Sequence, residues 1–361
     1  MKNPTTGKSA PAEASPPAAF DSPTPATALR RPTQRDIALA TGMSQTAVSL
    51  VLNHVEPSTV SGEARERILR TAERLGYVPN RMARNLRSAR THALACIVPD
   101  LTNPTYPSLV RGFQSAADAA GYDTMIFDTD GTLERERRAL RWLSQGHVDG
   151  VLALFFRIDE AELVKAVHGR VAVVQVESQA RPARGDIDKV YVDNAAAARA
   201  MTQVLIDKGR RRIAMLSCPM GPGAERQRGF RAAMQQAGLA GRTIVADDFT
   251  PAAGARAMAA ELAGDFPCDA VFAANDLLAI GAMTALRAAG RRIPDDVAVA
   301  GFDDIPTARL LHPALTTVGR SEQAIGRFAA ELLIARLDGP DAGRPGRAYE
   351  LPFQLVLRDS A

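Results

Sequence analysis

The chain has 361 residues, 46% of them hydrophobic, and a formal net charge of +4. This length allows two or three domains, and the composition is ordinary for a globular protein. No apolar run approaches the ~18 residues of a membrane span, and no apolar segment follows Lys2 and Lys8 as a secretory signal requires. We therefore expect a cytoplasmic protein with no membrane partner.

The three cysteines, Cys96, Cys218 and Cys268, are far apart and odd in number. Neither a disulfide framework nor a zinc site is indicated by that spacing. The histidines show no metal-ligand pairing such as HxxxH or HExxH. We expect reduced thiols, no metal and no other cofactor.

Residues 1–30 are rich in Pro, Ala, Ser and Thr and contain almost no large apolar side chains. Such a segment cannot bury enough surface to offset the entropy lost on ordering. We expect a disordered extension here.

Residues 33–53 predict two short helices around a tight turn. Thr33 can cap the first helix, Gly42 supplies the turn, and Ser44 can cap the second helix. Apolar residues recur at helical spacing in the second helix, namely Ala47, Val48, Val51 and Leu52. A helix, a glycine-containing turn and a second helix set a recognition helix into the DNA major groove. Taken alone, the pattern fits a plain helical hairpin equally well.

A third helix is predicted for residues 62–75, with Ser61 as its cap and Gly76 as its stop. The next residues, 77–88, read YVPNRMARNLRS. Together with TGMSQTAVSLVLN at 41–53, they resemble the DNA-binding head and hinge of the lactose-repressor (LacI/GalR) family of bacterial transcription regulators. Several motifs occur in the family's order and spacing, which makes the resemblance specific.

Positive charge is concentrated in the same part of the chain. Residues 30–91 contain 11 arginines against five aspartates and glutamates. Neutralising DNA phosphates requires such a basic excess. Its coincidence with the helical motif favours double-stranded operator DNA as a partner.

The resemblance implies a helix-turn-helix DNA-binding domain at 31–78 and a hinge helix or linker at 79–91. Leucine in the family's hinge is wedged into the central base step from the minor groove, and the matching residue is Leu86. Gln45, Thr46 and Leu50 would meet base edges in the major groove. Leu50 departs from the family, which often has arginine there, so operator preference should shift. The residues expected to contact DNA are Thr33, Ser44, Gln45, Thr46, Ser49, Leu50, Asn53, Asn80, Arg81, Ala83, Arg84 and Leu86.

From His92 onward, apolar strand patterns alternate with helical ones. Strands are predicted at 93–99, 123–129, 150–155, 171–176, 212–217, 270–274 and 297–302. Helices are predicted at 107–120, 133–145, 225–238 and 277–289, and another through Met201 to Gly209. This alternation predicts an α/β fold with parallel sheets covered on both faces. Because the cycle restarts after residues 190–194, we expect two lobes.

The family resemblance extends over this region through motifs such as VPDLTNP, ERQRGFRAAM, FAANDLLAIGAM and VAVAGFDDIP. It implies a two-lobed core like that of periplasmic sugar-binding proteins. The effector-binding and dimerisation domain would be 92–361. Lobe 1 would comprise about 92–191 and 320–348, and lobe 2 about 192–319 and 349–359. A homodimer is implied, with a small-molecule effector between the lobes.

Ligands of open parallel sheets bind beyond the carboxyl ends of strands. Asp303 and Asn275 follow two predicted strands, and a carboxylate suits the paired hydroxyls of a sugar. Arg226 matches the arginine of the family's RxxGF motif. Tyr106 and Phe249 match aromatic positions, although each could be a plain core residue. The expected effector-binding residues are Tyr106, Arg226, Phe249, Asn275, Asp303 and Arg320.

Two further features refine this site. Arg320 departs from the family's usual TTVRQ pattern, and a cation there could select an anionic effector such as a sugar phosphate. Asp304 is interpreted as a structural residue that holds a turn beside Asp303.

A repressor controlled by a sugar or sugar derivative is the principal expectation. A purine-type corepressor-dependent regulator and an activator remain alternatives. An α/β enzyme is a remote one: GPGAER at 221–226 begins like a dinucleotide fingerprint, but Arg226 occupies the place of its third glycine. Neither a GxxxxGK[ST] phosphate loop nor a GxSxG nucleophile motif occurs, so we expect no catalysis.

Overall fold

The computed structural model describes residues 1, 32–53, 59–78, 90–167, 169–264, 267–339 and 343–361. The chain divides into two compact units, Met1–Arg81 and Met82–Ala361. The predicted disordered extension, residues 1–30, lies outside the described residues apart from Met1. The described part of the DNA-binding domain begins at residue 32. The predicted hinge contacts also lie outside the described residues, namely Asn80, Arg81, Ala83, Arg84 and Leu86.

The first unit contains three helices, α1 (Gln34–Thr41), α2 (Gln45–Leu52) and α3 (Gly62–Arg74). Their shared core contains Ile37, Val48, Val51 and Ile68, all fully buried. Three short helices can be stable here because each contributes its apolar face to one common core.

Helix caps define the turn between α1 and α2. The Thr33 hydroxyl oxygen accepts a hydrogen bond from the backbone N–H of Asp36, whose carboxylate accepts one from the Thr33 N–H at 2.7 Å. Gly42 ends α1 with a φ of 69°, a left-handed conformation that favours glycine. Ser44 Oγ then accepts a hydrogen bond from the Ala47 N–H at 3.1 Å. The predicted helix-turn-helix is thereby confirmed.

The second unit is built on two six-stranded sheets. In the first sheet the strand order is β11-β5-β4-β3-β1-β2, and all pairs are parallel. Its strands are β1 (Ala93–Val98), β2 (Asp123–Asp128), β3 (Gly150–Ala153), β4 (Ala172–Glu177), β5 (Asp188–Tyr191) and β11 (Ala348–Glu350). Apolar clusters cover both faces of this sheet, which explains its buried strands.

In the second sheet the strand order is β12-β10-β9-β8-β6-β7, and only the pairing of β12 with β10 is antiparallel. Its strands are β6 (Ile213–Ser217), β7 (Arg242–Val245), β8 (Ala270–Ala273), β9 (Ala298–Asp303), β10 (Thr316–Gly319) and β12 (Gln354–Val356). The two-lobed α/β fold predicted from the alternating pattern is confirmed. All seven predicted strands are present with bounds within two residues of those expected.

Helices accompany both sheets. In chain order they are α4 (Thr105–Ala119), α5 (Leu133–Leu143), α6 (Glu160–Val167), α7 (Asn194–Asp207), α8 (Gly223–Gln236), α9 (Pro251–Leu262), α10 (Asp276–Ala288) and α11 (Glu322–Asp338). The predicted helix 107–120 begins two residues earlier, because Pro107 is tolerated in a first turn. The elements that were not predicted are helices α6, α9 and α11 and strands β5, β7, β10 and β11.

Helices α4 and α11 touch through their backbones. A Cβ on Gly112 would lie 2.0 Å from the Gln323 carbonyl oxygen, and one on Gly326 would lie 1.9 Å from that of Leu109. Only glycine permits this approach. The two glycines therefore allow a close approach of the helices, whose first turns carry Tyr106 and Glu322.

Candidate functional site

The N-terminal end of α2 presents polar side chains to the surface of the first unit. Ser44, Gln45 and Thr46 are exposed there, as a recognition helix requires. Leu50 is half-buried. This end of α2 has the shape and the hydrogen-bonding groups needed to meet base edges in a major groove.

Ser49 and Asn53 lie further along α2. Ser49 is buried, and the Asn53 amide donates to the Ser49 Oγ at 3.2 Å and to the Ser49 carbonyl oxygen at 2.8 Å. Thr33 is exposed, and its hydroxyl donates to the Asp36 carboxylate at 2.7 Å. Thr33, Ser49 and Asn53 therefore already form intramolecular hydrogen bonds. A contact with DNA would have to share these bonds or replace them.

A buried arginine organises the cleft of the second unit. Arg226, in the first turn of α8, is 1% exposed, and its guanidinium lies 3.2 Å from the Asp303 carboxylate at the end of β9. Its Nε donates to Asn194 Oδ1 at 2.8 Å, and its Nη1 donates to the Ala274 carbonyl oxygen. The guanidinium also lies over the Phe302 ring, 3.6 Å from the centroid. Burial lowers the pKa of Arg226 to about 10, so the group is cationic at neutral pH.

A second arginine approaches the same carboxylate from the segment between β10 and α11. Arg320 Nη2 lies 3.6 Å from Asp303 Oδ1, and Arg320 Nε pairs with Glu322 Oε1. Burial raises the pKa of Glu322 to about 7. We call these four residues, Arg226, Asp303, Arg320 and Glu322, the charge cluster.

Charges within the cluster are balanced when both carboxylates are ionised, since two guanidinium groups face two carboxylates. The positive charge of Arg320, which suggested an anionic effector, is therefore paired with Asp303 and is fully compensated when Glu322 is ionised. An added anion would leave an excess negative charge in a buried site, which is unfavourable.

Asp303 is placed by a hydrogen-bonded loop. Its φ is 112°, and the Asp276 carboxylate beneath the loop accepts hydrogen bonds from the Ile305 N–H at 2.9 Å and the Thr317 hydroxyl at 2.6 Å. Gly301 is required beside Asp276, because a Cβ there would lie 2.2 Å from Asp276 Oδ1. Burial raises the pKa of Asp276 well above its ordinary value. The neighbouring Asp304 pairs with Arg358 at 2.6 Å.

Two other predicted effector residues lie on the second lobe. The Asn275 Oδ1 accepts from the Leu278 N–H at 2.8 Å and caps α10, while its Nδ2 donates to the Phe249 carbonyl oxygen at 3.2 Å. Asn275 therefore positions the segment that carries Phe249. The Phe249 ring is half-buried and lies 6.5 Å from the Phe156 ring of the first lobe, at 56°.

A cavity of about 430 Å³ lies between the lobes. We call it the cleft cavity. Of the six predicted effector residues, Tyr106 and Arg320 line it. Asp303 and Arg320 line a second cavity of about the same volume, and Arg226, Phe249 and Asn275 are not in the lining of either. Burial raises the pKa of the Tyr106 hydroxyl, so this group is neutral and can donate a hydrogen bond.

The lobes meet across this cavity at residues that were not predicted. A guanidinium nitrogen of Arg157 lies 2.7 Å from the Met220 sulfur. Gly221 has a φ of 51°, and a Cβ there would lie 2.7 Å from the Phe156 ring. The ring of Phe156 therefore fits against the second lobe only because residue 221 is glycine.

Sequence reasoning also missed Gln175, Asn194 and Glu322. Asn194 is 1% exposed, and its amide donates to the carbonyl oxygens of Ser178 and Val192 at 2.9 Å each. Its position directly after a strand, at the start of α7, was the available signal. Glu322 lies two residues from Arg320, but only the start of α11 turns it toward the same site.

Among the helices of the described residues, none is long and apolar enough to cross a membrane. Within the same residues, no group of three or more His, Cys, Asp and Glu side chains could hold a metal ion. The two units thus offer a DNA-reading surface and a polar cleft between lobes. This combination defines a DNA-binding transcriptional regulator with a ligand-binding core.

Comparison with known proteins agrees with that class. Residues 33–80 match the model described as bacterial regulatory proteins, lacI family, and residues 202–361 match the model of a periplasmic binding protein-like domain. The chain belongs to the lacI family of bacterial regulatory proteins. Members of this family are DNA-binding regulators rather than enzymes.

Relatives match along nearly their whole length. The transcriptional regulator CelR of Thermobifida fusca is 36% identical over 92% of this chain and 98% of its own. The ribose operon repressor of Halalkalibacterium halodurans is 33% identical over 91% of this chain and 96% of its own. A solved CelR–cellobiose complex superimposes with a TM-score of 0.67 at 32% identity, over 92% of this chain and all of that one.

Proposed function

We propose that this protein is a repressor that binds a near-palindromic operator as a homodimer and is controlled by an uncharged sugar between its lobes. The charge cluster, in which two arginines face two carboxylates, lies beside the cleft cavity and carries the proposal. Hydroxyl groups donate and accept hydrogen bonds, so they can bridge guanidinium and carboxylate groups without adding charge. The names of a ribose operon repressor and a cellobiose complex among the relatives support this effector class.

The proposed division of labour follows the chain. Residues 31–78 bind the operator, 79–91 form the hinge, and 92–361 bind the effector and dimerise. Gln45, Thr46 and Leu50 read base edges in each half-site, because the two-fold symmetry of a dimer is mirrored in its operator. Leu86 unstacks the central base step, which the contacts of a bent duplex offset. Such a protein acts in the cytoplasm, where the DNA is.

Within the core, the six predicted residues remain our proposed effector ligands. Asp303 and Arg226 bind hydroxyl groups, and Arg320 and Tyr106 reach the same ligand from the cavity side. Phe249 covers a flat sugar face. Asn275 holds the segment that carries Phe249, because its amide donates to the Phe249 carbonyl oxygen. Effector binding changes the angle between the lobes and thereby the spacing of the two hinges in the dimer. Effector and operator must then change each other's affinity by the same factor.

The decisive experiment measures binding of the purified protein to its own upstream DNA by fluorescence anisotropy, in about 0.15 M salt because phosphate contacts are salt-dependent. Ribose, glucose, cellobiose and glucose 6-phosphate are added in turn. We expect sequence-specific binding that an uncharged sugar weakens. Strengthened binding would make the sugar a corepressor. Control by the phosphate alone would overturn the uncharged effector, and absence of specific DNA binding would overturn the repressor.

A further inference from the structure

Several hydrogen-bond acceptor oxygens lie on the first-lobe side of the cleft cavity. Gln175 lies on β4, is 6% exposed and lines the cavity. Among the described residues, neither its Oε1 nor the Oε1 of Glu160 has a hydrogen-bond donor, although both atoms are buried. Glu177, two residues beyond Gln175, also lines the cavity. We call these three residues, Gln175, Glu160 and Glu177, the acceptor wall.

A buried lysine holds the acceptor wall in place. Lys189 on β5 is 1% exposed, and its ammonium lies 2.6 Å from Glu160 Oε2 and 3.7 Å from Glu177 Oε1. Gln175 and Lys189 are register partners of adjacent strands, so their side chains lie on one face of the sheet. Burial raises the pKa of Glu177, with Lys189 acting in the opposite direction. Arg181 also lines the cavity and lowers the pKa of Glu177. The buried Oε1 atoms of Gln175 and Glu160 still have no donor among the described residues, so the wall remains an acceptor of hydrogen bonds.

The acceptor wall is separate from the charge cluster. It belongs to β4 and α6 of the first lobe, whereas Arg226 and Asp303 belong to the second lobe. Arg320 and Tyr106 line the cavity between the two groups. The cavity volume of about 430 Å³ lies within the ~300–1,000 Å³ range of small-molecule pockets. The site thus has polar groups at two ends and aromatic rings, Phe156 and Phe249, on opposite lobes.

We propose that the acceptor wall is a second subsite, which binds the hydroxyl donors of a second sugar unit, so that the effector is an uncharged disaccharide. This inference rests on the proposed function. One sugar unit lies against the charge cluster, whose groups both donate and accept. The other lies against Gln175 and Glu160, whose buried oxygens need donors, and buried polar groups are normally hydrogen-bonded.

The test is isothermal titration of the full-length protein with cellobiose, maltose, lactose, trehalose and sucrose, and with glucose, galactose, fructose and ribose. Gln175→Met removes the acceptor at similar volume, and Gln175→Glu retains an acceptor. Gln235→Met is the matched control, because Gln235 is exposed on α8. Operator binding and thermal unfolding of each variant verify folding.

At least one disaccharide should bind about tenfold more tightly than its constituent monosaccharides. Gln175→Met should remove about that tenfold advantage, as loss of a single hydrogen bond does, while monosaccharide affinity and the Gln235→Met variant stay unchanged. Two results would overturn the second subsite: monosaccharides that bind as tightly as every disaccharide, or a Gln175→Met variant that binds monosaccharides and disaccharides equally more weakly. In either case the proposed control by a sugar would stand. If no sugar binds although operator binding is specific, both the subsite and the sugar effector are wrong.

Discussion

The Arg226 guanidinium lies 3.2 Å from the Asp303 carboxylate, and both side chains are at least 95% buried. Arg226 comes from the start of α8 and Asp303 from the end of β9, 77 residues later. Arg320 approaches Asp303 from a third segment, which leads into α11 of the first lobe. Asp303 thus receives two cations at the point where the two lobes meet.

Asp303→Ala should abolish the response of operator binding to effector while operator binding itself survives, because the head folds around its own core. Breaking a buried ion pair leaves uncompensated charge, so core stability should fall by about 3–5 kcal/mol. Titration of operator with and without sugar, together with denaturant unfolding, measures both effects. Asp247→Ala is the control, since the Asp247 side chain is 83% exposed. A normal effector response in Asp303→Ala would show that the cleft is misplaced.

Glu322→Gln should change how stability depends on pH. The pKa of Glu322 rises from 4.5 to about 7 in the folded protein through burial. The folded state therefore binds this proton more strongly, and its contribution to stability falls as pH rises from about 4.5 to 7. Arg320, Asp303 and Arg226 are the charged groups that act on Glu322, and the variant retains all three.

The measurement is the difference in unfolding free energy between wild type and Glu322→Gln at pH 5 and pH 8. From pH 5 to pH 8, the unfolding free energy of wild type should fall relative to that of Glu322→Gln. A difference that is constant with pH would show that Glu322 titrates normally.

Gln45→Ala should weaken operator binding by about 1–3 kcal/mol and relax preference at one base pair of each half-site. Gln45 is exposed at the start of α2 and contributes nothing to the buried core of the head. Binding to a set of operators with single base changes measures the effect. Equal weakening on all sequences would instead indicate a phosphate contact.

Leu86→Ala should lower specific operator affinity and leave weak non-specific binding largely intact. The wedge acts only where DNA is bent, whereas non-specific affinity comes from phosphate neutralisation. Affinities for operator and for random DNA of equal length provide the comparison. A parallel loss on both DNAs would argue against a wedge.

Gly326→Ala should destabilise the core by about 1–3 kcal/mol or more, because the new methyl group would overlap the α4 backbone. Gly264→Ala provides a control, since its Cβ would have its nearest neighbour at 3.7 Å. Thermal unfolding of the two variants should therefore diverge. Equal stability would mean that α4 and α11 can separate at little cost.

Much of the fold was predictable because its signals are local. Apolar runs such as 93–98 and 213–217 are buried on both sides and bounded by turns, so they predict parallel strands. Helix α11 escaped prediction because buried glycines and polar residues, among them Gly326 and Arg336, interrupt its apolar pattern. Its burial depends on contacts with α4, which the local sequence does not reveal.

Local sequence determined the helix-turn-helix, through its caps and its glycine turn, and the polar groups at strand ends such as Asp303. Capping bonds and strand patterns act over a few residues, so they can be predicted from a linear chain. Only the tertiary structure decided that Arg320 is neutralised by Glu322 and Asp303, and that Gln175 and Glu160 form one wall. These relationships depend on distances between residues remote in sequence, and burial, which sets their charge and bonding, arises only when the lobes pack.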